Sequence, residues 1–208
     1  MRTVIISILL LAAIGLEAQS DKYASAMKQN LVLFDSAKTS QDFQTLANNF
    51  ERIGEAEKTQ WLPYYYAGLA LIRNGWLDPK VDKDANTVRV NALCDRAEAI
   101  ENNAEICTIR NMAATQAMIV DPQTRWQTYG VQASAALEKG MQIDPANPRL
   151  YYLQGMSLFN TPTAYGGGKD KAKPSFEKAL VLYKTFVVKP LYPNWGQKES
   201  EAMLARCQ

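Results

Sequence analysis

Apolar residues recur at three- and four-residue steps along most of this chain, the period of a helix with one buried face. Lys22 to Ala37 carries Ala26, Leu31, Leu33, Phe34 and Ala37 between polar positions. Thr39 or Ser40 can cap the next helix and Asp42 suits its positive end; Phe43, Leu46, Ala47, Phe50 and Ile53 form its stripe. Trp61 to Gly75 reads as an aromatic helix, and Val90, Leu93, Cys94, Ala97 and Ile100 mark the one after it. Asn102-Asn103 breaks that helix, and Ile106 to Ile119 follows. Asp121-Pro122 opens a helix carrying Trp126, Tyr129, Ala133, Leu137 and Met141. A second aromatic helix follows Pro148, and another begins near Asp170 with Phe176, Ala179, Leu180 and Tyr183 as its stripe. Pro190 to Pro193 reads as extended. Asn194-Trp195-Gly196-Gln197 then has the shape of a capping box opening a last helix through Met203 and Leu204. No stretch alternates with the period of a strand, so the predicted fold is all-α.

Two of these helices say nearly the same thing. Trp61-Leu62-Pro63-Tyr64-Tyr65-Tyr66-Ala67-Gly68 is matched, 87 residues later, by Pro148-Arg149-Leu150-Tyr151-Tyr152-Leu153-Gln154-Gly155. Glycine weakens a helix interior by about 1 kcal/mol relative to alanine. Its return at one place in two similar helices predicts a close approach by another helix there. Each aromatic helix is followed by a helix with a four-then-three step: Val90, Cys94, Ala97 after Gly68, and Ala172, Phe176, Ala179 after Gly155. Ala133, Leu137 and Gly140 repeat the step after Asn111, which aligns with the two glycines.

That spacing resembles the tetratricopeptide repeat, a helix pair of about 34 residues whose units bury their faces only by stacking. About three units are recognisable, after a degenerate first pair, although the segments between helices are longer than the repeat's short turn. Trp61-Leu62-Pro63-Tyr64-Tyr65, Asp121-Pro122, Tyr165-Gly166-Gly167-Gly168-Lys169 and Pro193-Asn194-Trp195-Gly196 are similar to a family of exported repeat proteins of Bacteroidota-type bacteria. The resemblance implies a single α-solenoid over residues 19–208, built of antiparallel helix pairs with a C-terminal capping helix. It also implies a concave face that binds a protein or peptide. By register, Tyr65, Arg73, Arg149, Tyr152 and Asn160 would face that groove, with Tyr64, Leu71, Tyr151 and Leu158 packed inward. The competing reading is that the tyrosines fill wide helix interfaces with their hydroxyls reaching water.

The first 18 residues read as a cleaved secretion signal: Met1-Arg2 is a short positive start, and Val4 to Leu16 is apolar apart from Ser7 and Gly15. The mature chain would begin near Gln19, be exported to the periplasm or beyond, and contain no transmembrane segment. In an oxidising space Cys94 and Cys107 could bridge an antiparallel helix pair, or else fill the core as thiols, leaving Cys207 as the odd one. Histidine is absent, which excludes Ser-His-Asp and Cys-His catalysis and imidazole metal sites. The 23 basic and 21 acidic side chains leave +2, no case for nucleic acid. Neither a cofactor nor a metal is called for.

Tyr165-Gly166-Gly167-Gly168-Lys169 lacks the strand before it and the Ser or Thr after the lysine that a phosphate loop requires. Two functions remain. One is a non-enzymatic protein or peptide adaptor. The other is a small-ligand receptor or enzyme on a helical scaffold, its pocket closed by the loops Asp78–Asn86 and Thr161–Gly168.

Overall fold

The computed structural model describes residues 21–208, and the predicted secretion signal lies outside them. The described residues are helical with no strand, an all-α fold. The elements are α1 (21–36), α2 (Ser40–Glu57), α3 (Leu62–Leu77), α4 (Lys83–Ile100), α5 (Ala104–Met118), α6 (Pro122–Arg125), α7 (Val131–Ile143), α8 (Pro148–Asn160), α9 (Lys169–Tyr183) and α10 (Gln197–Arg206). Between most of them lie connections of a few residues, which fold consecutive helices back on each other as hairpins. α3 touches α5, and α5 touches α8, so these three form one layer; α2, α4, α7 and α9 pack against them, and α10 closes onto α9.

The repeated step in the sequence is the buried face of the second layer. Val90, Cys94 and Ala97 are buried, as are Ala172, Phe176 and Ala179, and Ala133, Leu137 and Gly140. The glycines mark close approaches. A Cβ on Gly155 would stand 2.6 Å from the Phe176 ring, and one on Gly68 would stand 3.0 Å from Ile109 Cγ2. At the third such position Asn111 uses its side chain instead, donating from Nδ2 to the Ala133 carbonyl at 3.0 Å.

Ends are capped as their sequences dictate. Thr39 and Asp42 form a reciprocal capping box on α2, while Asp82, Asn103 and Asn147 accept from the first amides of α4, α5 and α8. At α10 the cap falls two residues later than Asn194–Gln197: Gly196 is the N-cap, and its N–H donates to Glu199 Oε2.

Two sequence expectations change, at Trp126 and Tyr129 and at the Thr161–Gly168 loop. Between α6 and α7 the helix widens into a π turn, Trp126–Gly130. Its extra residue per turn rotates Trp126 and Tyr129 off the buried stripe, leaving Trp126 55% exposed. Of the two readings left open for Cys94 and Cys107, the structure has the thiols: both are free and buried, and burial pushes the Cys94 thiol up to about 12. The Thr161–Gly168 loop folds back on its own helix, Gly168 N donating to the Leu158 carbonyl. Trp195 lies over the α3–α8 layer.

Candidate functional site

After α9 the chain does not enter α10 directly. Residues 184–196 run as an irregular strap across the face that α3 and α8 present. Trp195 is its clasp. The Trp195 indole donates to the Tyr65 hydroxyl at 2.8 Å, and its carbonyl accepts from Tyr183 Oη at 3.0 Å and Arg149 Nη1 at 3.3 Å. Its ring stands edge-on to Tyr152, with centroids 6.2 Å apart. A second attachment is Tyr66 Oη, which donates to the Leu191 carbonyl at 2.9 Å. Leu191 has φ +67°, a left-handed backbone that a branched side chain adopts only under strain.

Between the strap and α1 lies a cleft of about 280 Å³, continuing into a second, more polar space of about 510 Å³. Its floor is one stripe of α3: Tyr66, Leu69 and Arg73, at i, i+3 and i+7. One wall is a stripe of α1: Leu31, Phe34 and Asp35. The strap makes the other wall with Val188, Lys189, Leu191 and Tyr192, and Trp195 and Asn194 stand where the two spaces meet. Phe34 meets Tyr66 and Phe50 edge-on, and Tyr66 stacks on Phe50 with centroids 5.3 Å apart. Tyr66 is therefore a fixed aromatic patch in the floor, with little entropy left to lose on binding.

Beneath the strap sits a buried ion pair. Arg149 Nη2 reaches Glu105 Oε1 at 2.6 Å, Arg149 Nε reaches Oε2 at 2.8 Å, and Asn147 Nδ2 donates to the same carboxylate at 2.6 Å. Burial works against the guanidinium's charge, but Glu105 more than compensates and holds Arg149 above its ordinary range. Arg149 also lies under the Phe186 ring at 4.9 Å, which ties the strap's start to the pair. Burial raises Tyr65 and Tyr66 well above the usual phenol value, so both are neutral donors and acceptors at physiological pH. Arg73 differs from the other arginine here: among the described residues it has no ion-pair partner, and it opens onto both parts of the cleft.

The five residues predicted to face a groove separate into three sets. Arg73 lines the cleft. Tyr65, at 2% exposed, and Arg149, at 1%, are interior, and the prediction that they present an open surface is corrected: the strap covers both. Tyr152 is half-buried between Trp195 and Phe176, and Asn160 is exposed at the end of α8, bonded to the Met156 carbonyl and away from the cleft. Tyr64 and Leu71 pack inward as expected, whereas Tyr151 and Leu158 are only half-buried.

Sequence reasoning missed Tyr66, Leu69, Phe34 and Leu31. The α3 stripe could have been read from the step Tyr66, Leu69, Arg73, one residue out of phase with the assignment made through Tyr65. The wall was also assigned to the wrong segments. Neither Asp78–Asn86 nor Thr161–Gly168 lines the cleft; the strap does.

No protein-family model matches this sequence, so the tetratricopeptide resemblance rests on residue spacing. No curated protein matches it either. Among solved structures it is similar to the HusA haemophore from Porphyromonas gingivalis, with 35% identity, a TM-score of 0.81, and a match spanning 89% of this chain and 92% of that one. That organism is one of the Bacteroidota, the lineage the sequence resemblance pointed to. With that identity over nearly the whole of both chains, this protein belongs to the family of the HusA haemophore.

Proposed function

We propose that this protein is an exported, non-enzymatic haem-binding protein built on tetratricopeptide-like helix pairs, and that haem is its cargo. The relation to HusA, a haemophore 35% identical over 92% of its length, carries the reading. The cleft supports it by chemistry. A porphyrin is flat, aromatic and apolar along most of its rim, with two carboxylates on one edge. The cleft has an aromatic patch in Tyr66, an edge of Phe34 and Leu31, and two cations in its lining, Arg73 and Lys189. Its volume is of the size that takes a small organic ligand. The chain has no histidine, so ring burial and carboxylate contacts take the place of imidazole ligation. Tyr192 supplies a phenol and Asp35 a carboxylate to the lining, while the Tyr66 hydroxyl is committed to the Leu191 carbonyl.

A small-ligand receptor thus fits better than the peptide adaptor, because the layer that would form a peptide groove is covered by the strap. Titration of the mature protein with haemin tests this, followed by the porphyrin absorption band and by quenching of Trp195 and Trp61 fluorescence. Saturable 1:1 binding at about 1 μM or tighter is expected, a free energy of about −8 kcal/mol. Leu69→Glu, which puts a charge in the floor, should weaken it at least tenfold. Absence of saturable binding by the wild-type protein would sink the haem reading.

A further inference from the structure

Arg89, Arg96, Arg110, Arg125 and Arg149 each meet a carboxylate, at distances of 2.5–3.3 Å. Of the other described arginines, Arg52 bonds the Asn49 amide and Arg206 lies on Met203 and the Phe159 ring, whereas Arg73 lines a cleft. Arg73 meets no carboxylate among the described residues, although Asp35 lines the same cleft. It stands one helical turn beyond Leu69, where the apolar floor ends, with Trp195 and Asn194 beside it. The second cation of this cleft, Lys189, comes from the opposite wall: it is carried by the strap, its ammonium 5.3 Å from the Tyr192 ring. Among the described residues, the first space thus holds two cations against the carboxylate Asp35, whereas the second holds Arg73 and Lys198 against Asp35, Glu199 and Glu201. An anionic group is favoured at the mouth of the first and disfavoured further into the second.

We propose that Arg73 and Lys189 form a two-sided clamp for the carboxylates of a dicarboxylic, flat apolar ligand, and so fix which edge of that ligand points out of the cleft. This rests on the haem reading of the same site. Arg73 presents a planar fork that matches a carboxylate with two parallel hydrogen bonds, and Lys189 contributes a point charge on a flexible stem from the facing wall. The apolar rim then lies over Tyr66 and Leu69, against Phe34. Because Arg73 is exposed and has no protein partner among the described residues, its role is selection of ligand rather than support of the fold.

The test uses two ligands and three proteins: iron protoporphyrin with free carboxylates and its dimethyl ester, each titrated into wild type, Arg73→Gln and Lys189→Gln. Circular dichroism of the variants checks that the helices are unchanged. Wild type should bind the free acid at least tenfold tighter than the diester. Arg73→Gln should lose about tenfold for the free acid and less than twofold for the diester, with Lys189→Gln showing the same pattern at smaller size. Added salt should weaken only the free acid. Equal losses for both ligands, or no loss for either, would overturn the clamp while leaving haem binding in place. Wild type that saturates with neither ligand would overturn the haem reading, and the clamp with it.

Discussion

α3 and α8 begin with almost the same words and end in different surroundings. Every residue from Leu62 to Ile72 in α3 is buried, including three consecutive tyrosines. In α8 the buried residues are Pro148, Arg149, Leu150, Leu153 and Gly155, while Tyr151 and Tyr152 are half-exposed. The difference is the number of neighbours. α3 is enclosed by α2, α4 and α5, with the strap pinned to Tyr65 and Tyr66; α8 has α9 on one side and lighter contacts to α5 and α7. When Gly68 is aligned with Gly155, Leu62 falls opposite Arg149, and both are buried. One entry to the layer is apolar. The other carries a charge, and it is tolerable only because Glu105 meets it. An aromatic-glycine helix thus specifies a close-packed element without specifying how many sides are closed.

Arg149 is where the two helix entries differ most. Arg149→Met leaves Glu105 buried with Asn147 as its remaining side-chain partner, and removing one member of a buried pair costs about 3–5 kcal/mol. A urea melt should show that loss as a lower midpoint. Replacing both members, Arg149→Met with Glu105→Leu, should restore much of it, since a well-packed apolar pair avoids the cost of desolvating two charges. Recovery will be incomplete, because Arg149 also holds the Trp195 carbonyl and the Phe186 ring. If the double variant is no more stable than the single one, the charge is doing something at α8 that the apolar entry of α3 does not.

The two glycines sharpen the comparison at smaller scale. Gly155→Ala drives a methyl to 2.6 Å from Phe176, whose ring is fully buried and has nowhere to go. A loss of about 1–3 kcal/mol is expected, as for other overpacked cores. Gly68→Ala places its methyl 3.0 Å from one methyl of Ile109, which needs to give only a few tenths of an ångström. The helix gains about 1 kcal/mol from losing a glycine, so this variant should lie within about 1 kcal/mol of wild type. Thermal denaturation of the two variants side by side measures the difference.

These contrasts also show what a sequence displays. The second-layer faces were legible because burial there is periodic: Val90, Cys94 and Ala97 repeat in the next units at the same steps. Register places Arg73 on an open face of α3, but the same register picks Tyr65 rather than Tyr66, and one residue turns a helical position by about 100°. The buried pair was not legible, since Arg149 and Glu105 look like any charged positions until their partner is known. Neither was the strap. Tyr65 and Trp195 are 130 residues apart, and nothing local in Pro190-Leu191-Tyr192-Pro193 says which helices it crosses. Its two prolines and its apolar residues announced an extended segment with something to bury, and no more.

The smallest effect expected at neutral pH is the most informative about the strap. Tyr66→Phe keeps the ring that stacks on Phe50 and removes only the hydroxyl that bonds the Leu191 carbonyl, a change worth about 0.5–1.5 kcal/mol. The sign of that difference should depend on pH. Burial raises Tyr66 above the ordinary phenol value of 10.0, and burial, aided by Glu57 and Tyr192, raises Tyr23 to about 12. A phenol whose pKa is raised in the folded state supports the fold fully below the unfolded value. Above it the unfolded chain loses protons that the folded chain retains, and stability falls by roughly 1.4 kcal/mol per pH unit for each such group. Wild type should therefore lose stability steeply as pH climbs above 10, and Tyr66→Phe less steeply by one group. The small advantage of wild type at neutral pH should shrink and then reverse as the titration proceeds. Parallel slopes for the two proteins would mean that the Tyr66 hydroxyl reaches water in solution, and that the strap does not stay closed over α3.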